Sequence, residues 1–175
     1  MPHIAALCKV SAMDKKVEKS NCGKVLRRFT NHIKTLEFTR VKPTFWVREK
    51  EHFVQFIHIH KYTFGPYFRI HTCVRPFNAS FKAIALTGPT EKELVPDVSF
   101  EYAESEESIE QCSIKMASFV LRYSEPWFKK WHSAESLLSE SSPLDKEQKM
   151  QLKQALEGNV NSEWVNLTKA LLKIA

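Results

Sequence analysis

The stretch that decides the fold reads Val54-Gln55-Phe56-Ile57-His58-Ile59-His60-Lys61-Tyr62, Thr63-Phe64-Gly65-Pro66, then Tyr67-Phe68-Arg69-Ile70-His71-Thr72-Cys73-Val74. Its two outer segments are rich in β-branched and aromatic residues, which is typical of β-strands. The four residues between them include a Gly-Pro pair, which is typical of a turn. The stretch therefore predicts an antiparallel β-hairpin.

The pairing of this hairpin is restricted because side chains alternate between the two faces of a strand. A sheet that buries one face must place Ile57 and Ile59 on the same side as Phe68, Ile70 and Val74. The opposite face then carries a polar and aromatic set, namely Phe56, His58, His60, Tyr62, Tyr67, Arg69, His71 and Cys73. This second face is the first candidate for a functional surface.

The chain before the hairpin changes from a helical to a strand pattern. Residues 13–36 carry apolar side chains at spacings of three and four, which predicts an amphipathic helix. After Pro43 the period becomes two, which predicts a strand that turns at residues 49–52 into the hairpin.

The chain after the hairpin predicts two more strands and then helices. The strands are expected at residues 80–86 and 98–102, separated by the turn Thr87-Gly88-Pro89-Thr90. Ser105 is suited to cap a helix with an apolar stripe that runs to Tyr123 and that Pro126 ends. Shorter helices are predicted at residues 134–139, 144–156 and 162–174.

These segments together predict an α+β fold. We expect an antiparallel sheet of four to five strands with an N-terminal helix and a C-terminal group of three to four helices. Residues 1–12 are predicted to be an N-terminal extension, residues 13–140 a single α+β domain, and residues 141–175 a helical appendage packed on it. The length of 175 residues and the hydrophobic content of 43% are typical of a soluble globular chain.

The net charge of +6 is unevenly distributed along the chain. Residues 1–50 contain 12 Lys and Arg against 4 Asp and Glu, whereas residues 101–150 contain 6 against 10. If the fold brings the basic first third against the acidic stretch at 101–110, the two largely neutralise one another. The basic N-terminal helix otherwise offers a possible nucleic-acid surface, although a solvated helix face is the more common meaning of such a pattern.

The cysteines and the N-terminus bear on the compartment. The four cysteines, Cys8, Cys22, Cys73 and Cys112, are widely spaced and form no Cys-x-x-Cys pair, which indicates reduced thiols in a cytoplasmic protein. Lys9 interrupts the apolar start of the chain, and a basic n-region is missing, so a signal peptide is not predicted. No run approaches the roughly 20 apolar residues of a membrane-spanning helix, so no membrane association is expected.

His58, His60, His71 and Cys73 are the candidate metal ligands. A His-x-His pair on one strand projects both imidazoles to the same side, and His71 is expected opposite one of them. Imidazole and thiolate suit Zn²⁺, so a three- or four-ligand site is possible. The alternative is a set of hydrogen-bonded histidines on a polar sheet face, and a third possibility is a Cys–His nucleophile pair.

Trp127 and Trp131 form a second candidate surface. With Phe128 they have the spacing of a helical core stripe, yet Lys129, Lys130 and His132 flank them. They are therefore predicted either to lie in the core or to form an aromatic anchor for a protein partner.

Catalytic motifs are not found in the sequence. Gly-x-Ser-x-Gly, a glycine-rich phosphate loop and His-Glu-x-x-His are all missing. With only 4 glycines, the chain offers few places where backbone can closely approach a small ligand. We therefore expect no catalytic residues, no cofactor and no enzymatic activity.

Four segments resemble a bacterial domain-of-unknown-function family of small α+β proteins. They are the runs 44–60 and 74–89, Tyr67-Phe68-Arg69-Ile70-His71, and Glu125-Pro126-Trp127-Phe128-Lys129-Lys130-Trp131 followed by Ser133-Ala134-Glu135. The resemblance covers roughly residues 15–140 and implies an N-terminal helix, a hairpin-rich antiparallel sheet and C-terminal helices. Its motifs are structural, so it implies no functional residue.

Families of this kind are sometimes associated with toxin-immunity loci, which by analogy implies a toxin-neutralising role. Immunity proteins against basic nucleases are commonly acidic, so the charge of +6 fits a toxin with an acidic or mixed surface better.

The function expected from the sequence is a cytoplasmic protein-interaction module, a monomer or homodimer, most plausibly an immunity protein. Its partner-binding candidates are His58, His60, Arg69, His71, Trp127 and Trp131. One alternative is a metal- or ligand-binding domain, or an enzyme, centred on the histidines. Another is a nucleic-acid-binding protein that uses the N-terminal helix.

Overall fold

An antiparallel sheet of five strands, in the order β1-β2-β3-β4-β5, organises the fold. It is seen in a computed structural model in which residues 13–175 are described, so the predicted extension at residues 1–12 lies outside the described residues. The strands are β1 (Thr39–Lys42), β2 (Phe45–Glu49), β3 (Phe53–Lys61), β4 (Tyr67–Pro76) and β5 (Phe100–Glu101).

Helices precede and follow this sheet, which confirms the predicted α+β class. They are α1 (Lys15–His32), α2 (Glu91–Leu94), α3 (Glu106–Phe119), α4 (Glu125–Lys130), α5 (Ala134–Leu138), α6 (Lys146–Leu156) and α7 (Ser162–Leu172). A 3₁₀ turn lies at Lys34–Leu36 and a π-helical turn at Val120–Ser124. Each described helix is too short or too polar to cross a membrane.

The predicted pairing of the hairpin is confirmed. Ile59 lies opposite Ile70 and His58 lies opposite His71 in the β3–β4 ladder. Ile57, Ile59 and Ile70 are fully buried and join the main core, to which α1, α3, α4, α5 and α6 also contribute. The face of the sheet toward this core is the inner face, and the opposite one is the outer face.

Strand β1 was not expected from the sequence. Thr39-Arg40-Val41-Lys42 looks like a polar segment before Pro43, yet it pairs with β2 and forms an edge of the sheet. Charged residues are suited to an edge strand because they discourage pairing with other chains. Arg40 also places its guanidinium 5.1 Å from the centre of the Trp46 ring.

The strand predicted at residues 80–86 is wrong, because this segment wraps around Arg75. The buried Arg75 guanidinium donates hydrogen bonds to the carbonyls of Ala79, Phe81 and Ala83 at 3.3, 2.7 and 2.8 Å. Alternate carbonyls of a strand lie about 6.8 Å apart, too far for one guanidinium to bind three of them. A buried charge must be hydrogen-bonded, and the loop satisfies that requirement.

Strand β5 is shorter than predicted, covering Phe100–Glu101 instead of residues 98–102. The reason is that the segment around Gly88 already occupies part of the β4 edge. The amide of Thr72 donates to the Pro89 carbonyl at 2.9 Å, and that of Val74 donates to the Thr87 carbonyl at 3.0 Å. Only the beginning of β4 is left to pair with β5.

Helix α1 packs on α3, which brings part of the basic first third against the acidic stretch at 101–110. Lys24 and Arg28 pair with Glu106, and Arg28 also lies 3.1 Å from the Glu110 carboxylate. His32 lies 3.0 Å from the same Glu110 carboxylate. Part of the basic surface of α1 is therefore paired within the molecule.

The prediction that Pro126 ends the helix begun at Ser105 is wrong. Ser105 does cap α3, but the chain passes through the π-helical turn into α4, whose first turn contains Pro126. Proline lacks an amide hydrogen and is tolerated in a first helical turn. The wider turn also changes the phase of the helix, so Tyr123, predicted in the apolar stripe, is 41% exposed.

The three C-terminal helices are confirmed, with ends within two residues of the predicted ones. Ser133, Asp145 and Asn161 cap the N-termini of α5, α6 and α7 with their side chains. Leu152 of α6 joins the main core, whereas Leu172 of α7 packs on the outer sheet face in a second cluster with Val47, Val54, Phe56 and Cys73.

Gly88 provides a direct test of how tightly the loop is held against β4. Its φ is +145°, and an added Cβ would lie 1.9 Å from the Thr72 carbonyl oxygen. We expect Gly88→Ala to lower the free energy of unfolding by more than about 2 kcal/mol, because backbone strain and a steric clash add. Denaturant unfolding measures this change.

Gly158→Ala is the matched control for this variant. Gly158 also has a positive φ, of +86°, but an added Cβ meets nothing within 4 Å. Its cost is expected to be that of strain alone, about 1 kcal/mol. Equal costs for the two variants would contradict the close approach of Gly88 to β4.

Candidate functional site

The candidate site lies on the outer sheet face, where four of the six predicted partner-binding residues come together. His58 and His60 lie on β3, directly opposite His71 and Arg69 on β4. We call this surface the open sheet face and define it by six residues: Phe45, His58, His60, Tyr62, Arg69 and His71. His60 is exposed, and the other five are half-buried.

The rings of the open sheet face form a continuous row along β3. Phe45 and His58 are stacked at 4.3 Å between ring centres, with an interplanar angle of 29°. His58 lies 5.7 Å from His71 and 6.4 Å from His60, measured between ring centres. Beyond them, His60 meets Tyr62 edge to face at 5.7 Å. Strand alternation produces this row, since every second residue of β3 points to the same side.

Two cations flank the row of rings. The Lys42 ammonium lies 5.1 Å from the centre of the Phe45 ring, and the Arg69 guanidinium lies 5.5 Å from that of Tyr62. Both positions allow cation–π attraction.

Burial keeps His58 and His71 of this face uncharged at neutral pH. Desolvation lowers the pKa of His58 to about 4, and the nearby positive charges of His71, His60 and Lys42 add to that effect. Desolvation also lowers the pKa of His71, with a further contribution from the Arg69 charge. The Nδ1 atom of His58 is buried and has no hydrogen-bond partner within the described part of the chain. This face therefore combines two imidazoles of lowered pKa, those of His58 and His71, with an ammonium and a guanidinium group.

Glu91 supports the open sheet face from below and was not identified from the sequence. Its buried carboxylate accepts a hydrogen bond from the Ile70 amide at 3.0 Å and lies 3.6 Å from the Arg69 Nε atom. Glu91 is the first residue of α2. Thr90 and Glu93 cap the N-terminus of this helix with reciprocal hydrogen bonds. The signal that could have located this helix is the Thr-x-x-Glu spacing of residues 90–93.

Trp127 and Trp131 do not join the histidines. Both belong to α4 or its end and pack in or against the main core, with Trp131 only 4% exposed. Trp127 is half-buried and lies 6.4 Å from Trp131 between ring centres. The sequence allows either a core position or an aromatic anchor for a partner, and the structure has the core position. Neither residue is therefore included in the candidate site.

The metal candidates are only partly brought together. His58, His60 and His71 are neighbours, but Cys73 packs in the second apolar cluster, where burial strongly raises the pKa of its thiol. A protonated, buried thiol is a poor metal ligand and a poor nucleophile. Across residues 13–175, no group of three or more His, Cys, Asp or Glu side chains is placed to hold a metal ion.

Comparisons with protein-family models, with curated proteins and with solved structures find no match to this chain. The resemblance described above therefore stays a prediction.

The buried position of His58 predicts a loss of stability in mild acid. Its pKa is lower in the folded chain, about 4, than the ordinary value near 6.5, so the unfolded chain binds more protons between these values. This contribution is complete above about pH 6.5 and is lost as the pH falls toward 4. After discounting for solvent screening, we expect a loss of about 1 to 2 kcal/mol.

His58→Gln removes this titration, so its unfolding free energy is expected to fall less than that of the wild type between pH 7 and pH 4.5. Denaturant unfolding at the two pH values measures the difference. His132→Gln changes an exposed histidine and serves as the control. If His58→Gln and wild type lost the same free energy, the burial of this imidazole would be contradicted.

Proposed function

We propose that this chain is a non-enzymatic protein-interaction module that binds an acidic protein partner through the open sheet face. The observation that carries the proposal is the row of rings along β3, together with the Lys42 and Arg69 cations that flank it. Rings and a guanidinium that share one partly exposed surface are typical of binding hot spots, in which Tyr and Arg are enriched.

The packing of the rings favours a protein over a nucleic acid as the partner. Phe45 and His58 stack on each other, so the ring faces between them are already occupied. Nucleobases bind by stacking on free ring faces, whereas protein side chains pack against ring edges as well. The edges that this row offers therefore suit a protein surface.

The charges of the surface favour an acidic partner. The Lys42 ammonium and the Arg69 guanidinium lie on this face, burial lowers the pKa of His58 and His71, and Glu91 offsets part of the Arg69 charge. Complementary charge raises association rates and disfavours wrong partners. Glu91 lies beneath Arg69 and restricts where its guanidinium points.

The resemblance to a family sometimes found at toxin-immunity loci supports a toxin domain as this partner. Binding would take place in the cytoplasm. The alternative of nucleic-acid binding through α1 has less support, because Lys24 and Arg28 pair with Glu106.

The test is binding of this chain to the proteins encoded beside its gene, among which the proposal expects a toxin domain with an acidic surface. We expect the double variant His60→Ala with Arg69→Ala to raise Kd at least about 30-fold, because it removes an exposed ring and a hot-spot cation. Isothermal titration measures Kd, and circular dichroism checks that the variant is folded. In cells, the same variant is expected to lose protection against the toxin.

The matched control is Lys19→Ala with Arg27→Ala, two exposed basic residues of α1. It removes two side chains from the basic helix and leaves the open sheet face unchanged. We expect its Kd to stay within about twofold of the wild type. The proposal is overturned if the toxin domain does not bind, or if the control weakens binding while His60→Ala with Arg69→Ala does not.

A further inference from the structure

A cavity of about 790 Å³ lies at the tip of the β3–β4 hairpin. The hairpin loop, the segment after β5 and the start of α1 form its walls. Its volume is within the range of small-molecule sites, which is about 300 to 1,000 Å³. We call it the hairpin-tip cavity.

Aromatic side chains form much of its apolar wall. Phe64, Tyr67 and Tyr102 all line it. Phe64 is 79% exposed, the largest exposure among the large apolar side chains of residues 13–175. Tyr62 contacts it at 4.9 Å between ring centres. An exposed ring beside a cavity gains free energy when a ligand covers it.

The polar groups of the cavity are mainly carboxylates. Glu18, Glu101 and Glu104 line it against a single ammonium group, that of Lys15. Glu18 pairs with Lys61, whereas Glu101 and Glu104 form no ion pair with the residues that the structure describes. The Glu101 carboxylate instead interacts with the Tyr67 hydroxyl and raises the pKa of Tyr67.

The helix N-termini near the cavity do not favour an anion. Asp14 accepts hydrogen bonds from the first amides of α1, and Ser105 accepts one from the Ser108 amide of α3. Those donors are satisfied, so the unpaired carboxylates set the charge preference of the cavity.

We propose that the hairpin-tip cavity binds a small organic cation, an amine or guanidine carried on an aromatic or alkyl group. Glu101 and Glu104 pair with the charged end, and Phe64 and Tyr67 contact the rest of the ligand. The aromatic faces add cation–π attraction to the charge pairing. This site uses none of the residues of the open sheet face and stands independently of the proposed partner.

Phenethylamine, 2-phenylethanol and phenylacetate are the probes, since they share the ring and differ in charge. Amide chemical shifts of residues 63–65, 67 and 101–105, followed by NMR titration at low salt, give Kd for each probe. We expect the amine to bind about tenfold more tightly than the neutral alcohol, and the anion to bind least.

Two variants separate charge from apolar contact. Glu101→Gln with Glu104→Gln is expected to remove the preference for the amine over the alcohol. Phe64→Ala is expected to weaken both probes by a similar factor. Glu107→Gln, a nearby exposed carboxylate that does not line the cavity, is the matched control and is expected to change neither Kd.

The proposal is overturned if none of the probes shifts these amides at 10 mM, a concentration set about tenfold above a weak Kd of about 1 mM. Equal binding of amine and alcohol, or an amine preference that survives in Glu101→Gln with Glu104→Gln, would also overturn it. These measurements need no toxin domain, so a negative result would not bear on the proposed function of the open sheet face. A failure of the toxin-binding test would likewise not bear on the hairpin-tip cavity.

Discussion

The register between β3 and β4 is the constraint on which both the core and the candidate site depend. Nine residue pairs, from Phe53 opposite Pro76 to Lys61 opposite Phe68, form this ladder. A shift of β3 by one residue would turn Ile57 and Ile59 outward, a shift of β4 would turn Ile70 outward, and each would bring histidines into the core. The cost of exposing these fully buried isoleucines, several kcal/mol, fixes the position of the imidazoles as well.

One half of the outer face is covered by the 79–83 loop and α7, and the other half is uncovered. Near one end of β4, Arg75 is buried and donates to the Thr168 hydroxyl of α7 at 2.9 Å, in addition to the carbonyls of the 79–83 loop. Leu172 packs beside it on Phe56 and Cys73. Because the guanidinium links the loop and α7 to the sheet, it determines how far this cover extends. The half beyond it, from His58 to Tyr62, stays accessible.

The predictive value of the sequence follows how local each feature is. The hairpin, its two faces and the helices were predictable because strand and helix periods are encoded in neighbouring residues. The four residues His58, His60, Arg69 and His71 were located for the same reason. Glu91 and the hairpin-tip cavity were not, because both depend on contacts between segments far apart in the chain. The loop at 80–86 was mistaken for a strand because its carbonyls bind a distant arginine, which no local pattern records.

The charge of the chain shows the same difference between local and global information. The value of +6 does not describe the local surfaces of the folded molecule, because α1 and α3 pair some of the opposite charges. Locally, Arg69 and Lys42 lie on the open sheet face, whereas Glu101 and Glu104 line the hairpin-tip cavity. Exposed charges act over about one Debye length, roughly 8 to 10 Å in physiological salt. A ligand therefore responds to the charges near its binding site and not to the net charge of the chain. The two proposed sites thus differ in the sign of the charges that a ligand would meet.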